Sequence, residues 1–189
     1  MPHSSVQRHC TARQPVIHPE THAFADDGTI PNSPLPLLLY RAALPADPAA
    51  IERAFAGNGW ANSWRNGIFP FHHFHSNAHE VLGIAAGRAR VRFGGPGGRE
   101  VDVAAGDVVV IPAGVGHCRR SDDAGLLVIG AYPGGGDYDT CRGDPAQAQA
   151  VRRNIARVPL PAADPLFGAD GPLRALWSTA GQAGPPAQA

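Results

Sequence analysis

The chain has 189 residues, the usual size of one domain and enough to bury a core without disulfide bonds. Its 16 basic and 16 acidic residues balance, which argues against a general electrostatic attraction to nucleic acid or to an anionic membrane. All basic residues are arginine, which excludes Schiff-base and phosphate-loop lysine chemistry. The chain contains 23 glycines and 19 prolines, and their combined share is well above the roughly 12% of an average protein. This composition favours short strands and turns over long helices.

The cysteines and the N-terminal residues bear on the compartment. Cys10, Cys118 and Cys141 are odd in number and widely spaced, so neither a disulfide framework nor a zinc-ribbon site is predicted. The first residues lack a charged start followed by an apolar run, and no apolar stretch approaches the ~20 residues of a membrane span. We therefore expect a cytoplasmic protein without a membrane or nucleic-acid partner.

The first third of the chain predicts few regular elements. Residues 1–30 are polar and without periodicity, which predicts an N-terminal arm. Residues 34–40 form a short apolar run bounded by prolines, which is typical of an edge strand. An Asp–Pro pair at 47–48 and a glycine at 57 predict a short helix, and residues 58–67 predict a loop anchored by two tryptophans.

Residues 68–132 predict one strand after another. Residues 88–93 alternate strictly between arginine and apolar residues, so one face of that strand is predicted to lie inward. The runs at 108–111 and 126–131 are continuously apolar, which is typical of strands covered on both faces. Short strands separated by turns at intervals of about 8–12 residues predict an all-β sandwich or barrel.

The last part of the chain predicts a helix and a tail. A second Asp–Pro pair, at 144–145, predicts a short helix after the strands. Residues 178–189 have the composition of a disordered tail. The predicted organisation is therefore an arm over residues 1–30, a single domain over 31–177 with short flanking helices, and a tail over 178–189.

Histidine is the most informative residue type in the composition. Four of the nine histidines fall within one short segment, at His72, His73, His75 and His79. Residues two apart on a strand point to the same face, ~6.6 Å from each other. The imidazoles of His73 and His75 can therefore converge on one metal ion, whereas His72 points to the opposite face.

Two further candidate ligands come from outside that pair. The next predicted strand begins at His79 and Glu80, and alternation allows only one of them on the inward face. We favour Glu80, with His79 on the outer face or in a dimer contact. His117 follows a Gly/Pro-rich turn and can reach the same point. Three imidazoles and a carboxylate suit a first-row divalent ion that keeps positions open for water and substrate.

The same residues carry a family resemblance. The two motifs of the cupin superfamily resemble two segments of this chain: Gly67-x5-His73-x-His75-x4-Glu80-x6-Gly87 and Gly106-x5-Pro112-x-Gly114-x2-His117. The last position of the second motif, an asparagine in the family, is Ser121 here. Further segments resemble the YjlB-like cupin group, at residues 26–32, 62–68, 72–76, 78–83, 111–117 and 154–159.

The resemblance implies a fold and a ligand set. The fold is an RmlC-like jelly-roll barrel, a double-stranded β-helix of six to eight strands with flanking helices, usually dimeric. The implied metal ligands are His73, His75, Glu80 and His117. The family pattern also allows the acid one position earlier, where this chain has His79, so His79 stays an alternative to Glu80. No single reaction is implied, since cupins host dioxygenases, isomerases, decarboxylases, lyases and non-enzymatic binders.

These observations lead to a functional hypothesis. We expect a mononuclear metalloenzyme for a small molecule, of dioxygenase type in the first place and an isomerase or lyase in the second. The cofactor is one divalent transition metal: iron, zinc, manganese or nickel. Glu80 is the candidate catalytic residue, as a base that can leave the ion. The alternative is a metal- or ligand-binding cupin without turnover, such as a sensor or storage protein.

Substrate contacts and oligomeric state are predicted from single residues. Arg65 lies in the segment leading to the first motif and could clamp a substrate carboxylate, although an ion pair with an acid of the arm also explains it. Phe71 and Phe93 share the inward face with the histidines and either line an apolar pocket or belong to the core. A homodimer is expected, and Phe74, exposed beside His72 on the outer face, would then meet the partner.

Overall fold

The protein is described over residues 17–180 by a computed structural model. Two antiparallel sheets, with strand orders β1-β2-β7-β4-β9-β3 and β6-β5-β8, form the framework of this part of the chain. The strands are β1 (Glu20–Phe24), β2 (Ser33–Tyr40), β3 (Trp60–Asn66), β4 (Glu80–Ala86), β5 (Arg88–Phe93), β6 (Arg99–Ala104), β7 (Val108–Ile111), β8 (His117–Asp122) and β9 (Leu127–Pro133). The helices are α1 (Pro48–Gly57), α2 (Ala148–Ile155) and α3 (Leu173–Ala180), and a short 3₁₀ turn (Pro145–Gln147) precedes α2.

Both faces of the central strands of the larger sheet are buried. In β7, Val109 and Ile111 belong to the core between the two sheets, whereas Val108 and Val110 belong to a second core beneath α1 and α3. Burying such a side chain contributes roughly 1.5–3 kcal/mol, so a strand covered twice has no reason to alternate. The continuous apolar run is thereby explained, and the predicted all-β jelly-roll architecture with short flanking helices is confirmed.

Helices α1 and α3 cover the outer face of this sheet. The Asp47 side chain caps α1 by accepting the Ala50 amide at 2.6 Å, which confirms the predicted start of this helix. Ile51 and Phe55 of α1 are fully buried against the sheet. Trp177 of α3 is also fully buried, and its indole N–H donates to the carbonyl of Pro36 at 2.9 Å.

Three predictions about the first part of the chain are wrong. Residues 20–24, assigned to an arm, form β1 and pair with β2, so β2 is not an edge strand. The prolines of β2 are tolerated because the register with β1 shifts opposite them and the ladder with β7 begins only at Leu38. Residues 60–66, assigned to a loop, form β3 and pair with β9.

The predicted arm and tail extend beyond what the structure describes. Residues 1–16 of the arm and residues 181–189 of the tail lie outside the described residues, and residues 178–180 continue α3. Within residues 17–180, no helix has the length and apolar character needed to cross a membrane.

Phe74 is not an exposed contact for a partner. Its ring is 1% exposed and packs with Ile30, Cys141 and Val151, so helix α2 of the same chain covers it. The expectation that Phe74 meets a second protomer is therefore wrong. The homodimer itself stays a prediction.

Candidate metal centre

Three histidines meet between the two sheets. His73 and His117 form an isolated antiparallel bridge, with amide-to-carbonyl distances of 3.2 and 2.9 Å, so the two imidazoles leave the backbone side by side. The carbonyl of His75 accepts the Gly114 amide at 2.8 Å, which ties the first histidine segment to the turn before His117. One ring nitrogen from each of His73, His75 and His117 lies within 4.8 Å of the others.

Backbone carbonyls fix the tautomer of each ring. The Nδ1 atoms of His73 and His117 lie 3.2 and 3.3 Å from the carbonyl two residues earlier in the chain. The Nδ1 of His75 faces the carbonyl of Asp139. Because a carbonyl only accepts, each Nδ1 carries the proton and donates it, which leaves the Nε2 lone pair free. Neutral imidazoles held in this way are the usual form of a metal-binding histidine.

Glu80 faces the histidines from the start of β4. Its carboxylate is 2% exposed, with Oε1 lying 3.4 Å from His75 Nε2 and Oε2 lying 3.5 Å from His117 Nε2. The Tyr132 hydroxyl donates to Oε1 at 2.9 Å. Among the described residues, no hydrogen-bond donor reaches the buried Oε2 atom.

This donor set fits a cation. Free Nε2 lone pairs and a carboxylate repel one another at 3.4–3.5 Å unless a proton or a metal ion lies between them. A lone buried carboxylate oxygen without a donor costs free energy, and a divalent ion would satisfy it. The residues present therefore fit a first-row metal ion with three imidazole ligands and one carboxylate ligand.

The pKa shifts of His73 and His117 agree with this ligand set, whereas the shift of the His75 pKa favours a proton on that ring in the absence of an ion. Burial, reinforced by His73, lowers the pKa of His117 to about 3, and burial also lowers the pKa of His73. Both rings are therefore neutral at pH 7, as ligation requires. Burial alone would raise the pKa of Glu80, but the charge and hydrogen bond of His75 outweigh it and hold that pKa at about 2. Burial opposes the charged form of His75, yet the neighbouring carboxylate raises its pKa.

A hydrogen-bonded pair behind Glu80 fixes the carboxylate. The Trp64 indole N–H donates to the Tyr132 hydroxyl at 2.8 Å, and that hydroxyl donates in turn to Glu80. Trp64 on β3 lies opposite Gly130 on β9. A Cβ atom at Gly130 would lie 2.1 Å from Cε2 of Trp64, so only glycine leaves room for the indole there.

The donor atoms lie in the wall of a cavity that opens to solvent. Its free volume is about 70 Å³. The other large residues of the wall are Trp64, Ile68, Phe69, Leu82, Tyr132 and Tyr138. Phe69 and Tyr138 are 46% and 42% exposed, so they lie at the mouth rather than in the interior.

His79 lies on the opposite face of β4. Val81, which shares a face with His79, belongs to the core under α1 and α3. Leu82, which shares a face with Glu80, belongs to the core between the sheets. The His79 Nδ1 accepts the Ala113 amide at 2.9 Å, and the ring lies 4.7 Å from that of Trp177. Burial lowers the pKa of His79 to about 4. The structure therefore brings Glu80, and not His79, to the three histidines, and helix α3 of the same chain covers His79.

Arg65, predicted as a substrate contact, points away from the cavity. It follows the inward Trp64 on β3, so alternation turns its side chain outward, where it forms two 2.8 Å hydrogen bonds with Glu52. The ion-pair alternative for Arg65 is the one observed, although the acid belongs to α1 and not to the arm.

Phe71 and Phe93, the two predicted aromatic substrate contacts, do not line the cavity either. Phe93 is fully buried in the closed core between the sheets, so it does not reach the cavity. Phe71 stacks behind Phe69 at a centroid distance of 4.9 Å, and the Arg142 guanidinium lies 4.4 Å from its centroid. The segment before the bridge is not a regular strand, so alternation could not place Phe71.

Trp64, Tyr132 and Tyr138 are the site residues that sequence reasoning missed. For Tyr132 a signal existed: Val128 faces the inter-sheet core, and alternation along β9 then turns Gly130 and Tyr132 to the same face. Tyr138 follows a glycine-rich loop in which no periodicity indicates an orientation.

Comparison with known proteins gives three findings. The family model described as Cupin matches residues 60–132, from β3 to β9. The Bacillus subtilis (strain 168) protein named "Uncharacterized protein YjlB" is 45% identical over 159 residues, covering 84% of this chain and 96% of that protein. Solved structures similar to this chain include an acireductone dioxygenase from Bacillus anthracis with a cadmium ion (18% identity, 47% of this chain, 59% of that chain, TM-score 0.36) and the 11S allergen of Cocos nucifera (17% identity, 49% of this chain, 31% of that chain, TM-score 0.36).

Proposed function

Because the chain belongs to the cupin superfamily, as a YjlB-like protein, we propose that it is a mononuclear metal-dependent enzyme of dioxygenase type acting on a small molecule. The observation that carries this proposal is the position of the four donor residues in the wall of an open cavity. A structural metal site is closed by its protein ligands, whereas a catalytic site keeps positions open toward substrate.

The residues that would hold the ion are His73, His75, Glu80 and His117. When bound, a first-row divalent ion supplies Lewis acidity and open coordination positions for substrate and, as iron, an electron donor to O2. The Nδ1–H donations to backbone carbonyls keep the three rings oriented while their Nε2 atoms face inward.

Glu80 has a second proposed role as a proton acceptor. Its Oε1 is held by the Tyr132 hydroxyl, so Oε2, which has no donor among the described residues, is the atom that would take a proton from substrate once Glu80 leaves the ion. Leu82, Ile68 and Trp64 line the same cavity and give its wall an apolar part.

The test is oxygen consumption by protein purified without air and loaded with ferrous iron. We expect O2 uptake in the presence of at least one fraction of a small-molecule pool, and a loss of uptake of at least about 10²-fold in Glu80→Ala. Zinc-loaded protein is the matched control, because zinc has no redox chemistry.

Two results would contradict the dioxygenase proposal in different ways. Conversion of a substrate without O2 uptake, by zinc- or manganese-loaded protein, would identify the isomerase or lyase reaction instead. Retention of a ligand that the iron-loaded protein never alters would identify a binding protein without turnover.

A further inference from the structure

Exposed aromatic side chains are concentrated at the mouth of the metal cavity. Among the described residues, the exposed large hydrophobic side chains are Phe69, Tyr138 and Leu160, at 46%, 42% and 40%. The first two line this cavity. Soluble proteins expose such groups in clusters where they bind something.

The two aromatic rings flank the histidine pair. Phe69 packs edge-on against His73 at a centroid distance of 5.2 Å, and Tyr138 packs edge-on against His75 at 5.0 Å. Tyr138 is supported from behind, because it stacks on Tyr132 at 4.3 Å with an interplanar angle of 19°. A ring that enters the mouth therefore meets aromatic surfaces before it meets the imidazoles.

Among the described residues, the wall carries no arginine or lysine side chain that would pair with a remote anionic group. Of the described residues lining the cavity, none is arginine, and the sequence contains no lysine. Arg65 is bound to Glu52 on the outer side of β3, and Arg142 lies over the Phe71 ring. A carboxylate or phosphate carried away from the metal would therefore have no charged partner in the wall, where Asn66 is a neutral donor.

The cavity is too small to enclose even one aromatic ring. Its free volume of about 70 Å³ is well below the roughly 150 Å³ of an enclosed cavity that holds benzene. A single ring therefore cannot be engulfed, and part of it must lie in the mouth. The exposure of Phe69 and Tyr138 provides the surface for that part.

From these observations we propose that the cavity binds a small planar aromatic molecule of the phenol class, without charged substituents. Its ring packs against Phe69 and Tyr138, and its oxygen faces His73, His75 and His117. The position of the oxygen rests on the proposed metal-dependent function. The position of the ring rests only on the aromatic residues that line the cavity.

The test is a calorimetric titration of zinc-loaded protein with matched probes. Catechol is compared with cis-1,2-cyclohexanediol, which keeps the two oxygens but has no aromatic ring, and with 3,4-dihydroxybenzoate, which adds a charge. We expect catechol to bind about 10-fold more tightly than the cyclohexanediol, since aromatic pairing favours rings by such factors. We also expect it to bind more tightly than the benzoate, because no arginine or lysine of the wall pairs with the added carboxylate. Equal or tighter binding of the cyclohexanediol or the benzoate would overturn the proposal.

Two variants test the aromatic mouth itself. Phe69→Leu and Tyr138→Leu remove exposed rings, so both are expected to fold, and each should weaken catechol binding about 2- to 10-fold. Leu160→Ala, another exposed apolar residue, is the matched control and should leave the affinity unchanged. Unchanged catechol affinity in both ring variants would overturn the proposal.

Metal-free protein separates this inference from the proposed function. Phenol should still bind the metal-free wall, and Tyr138→Leu should weaken that binding. Failure to take up zinc, with phenol binding preserved, would contradict the metal-dependent function and leave the ring site standing. Zinc uptake without any preference for the aromatic probes would overturn the ring site and leave the metal-dependent function standing.

Discussion

Tyr132 links the candidate metal ligand Glu80 to the residues around the site. Its hydroxyl donates to Glu80 at 2.9 Å and accepts from the Trp64 indole at 2.8 Å. Tyr132→Phe removes both hydrogen bonds and changes little else in shape. The bond to the carboxylate is charge-assisted, and such bonds contribute about 1.5–3 kcal/mol. Loss of a group that orients a metal ligand lowers metal affinity by about 10- to 100-fold.

We therefore expect the Kd of Tyr132→Phe for zinc to rise by about 10- to 100-fold, measured by competition with a chromophoric chelator. Tyr40→Phe is the matched control, because the Tyr40 hydroxyl donates to the Asp164 carboxylate at 2.5 Å in the other core, under the helices. Both variants should lose stability, by roughly 2–4 °C in Tm for each kcal/mol. Only Tyr132→Phe should lose metal affinity, and zinc binding as tight as in the wild type would refute the reasoning.

Three further substitutions test the packing behind the site and the attachment of the helices. Gly130→Ala places a Cβ atom 2.1 Å from the Trp64 ring, so it should cost about 1–3 kcal/mol in urea unfolding and shift the indole emission; an unchanged midpoint would contradict the close approach. Trp177→Ala empties a fully buried position under α3 and should lower the free energy of unfolding by about 3–5 kcal/mol, so a loss below about 1 kcal/mol would show that α3 is not needed there. Asp47→Ala removes the cap of α1 and should cost about 1 kcal/mol by the same measurement, with no change expected in zinc affinity.

Alternation along buried strands predicted much of the structure. The faces of β4 follow from it, since Leu82 and Ile84 fill the core between the sheets while Val81 fills the one under the helices. The same alternation separates Glu80 from His79. It holds for β4 because successive side chains of a strand point to opposite faces whatever their polarity.

The two edge strands of the larger sheet could not be predicted from the sequence because one of their faces is exposed to solvent. β1 and β3 lie at the two edges of the larger sheet, and most of their side chains are exposed or only half-buried. Neither strand therefore needs apolar residues at alternate positions. Both are held in the sheet by hydrogen bonds to a neighbour, β1 to β2 and β3 to β9. The mistaken expectation for Arg65 follows from the missed strand, because its direction depends on β3 being a strand with Trp64 inward.

Residues in irregular segments could not be placed from the sequence at all. Phe71 and Tyr138 lie outside the named strands, so their positions depend on turns and on contacts with distant residues. His79 shows a related limit: its face was predicted, but not that Trp177, almost a hundred residues later, covers it. These contacts are tertiary, and no local period encodes them.

The most direct test of the account is the metal content of three proteins purified in parallel: the wild type, Glu80→Ala and His79→Ala. Elemental analysis should find a single divalent ion per chain in the wild type and in folded His79→Ala, because His79 faces α3 and not the three histidines. Glu80→Ala should retain at most about a tenth of that metal after dialysis against a weak chelator. A wild type that binds no divalent ion, or a His79→Ala that loses the ion while Glu80→Ala keeps it, would contradict the account.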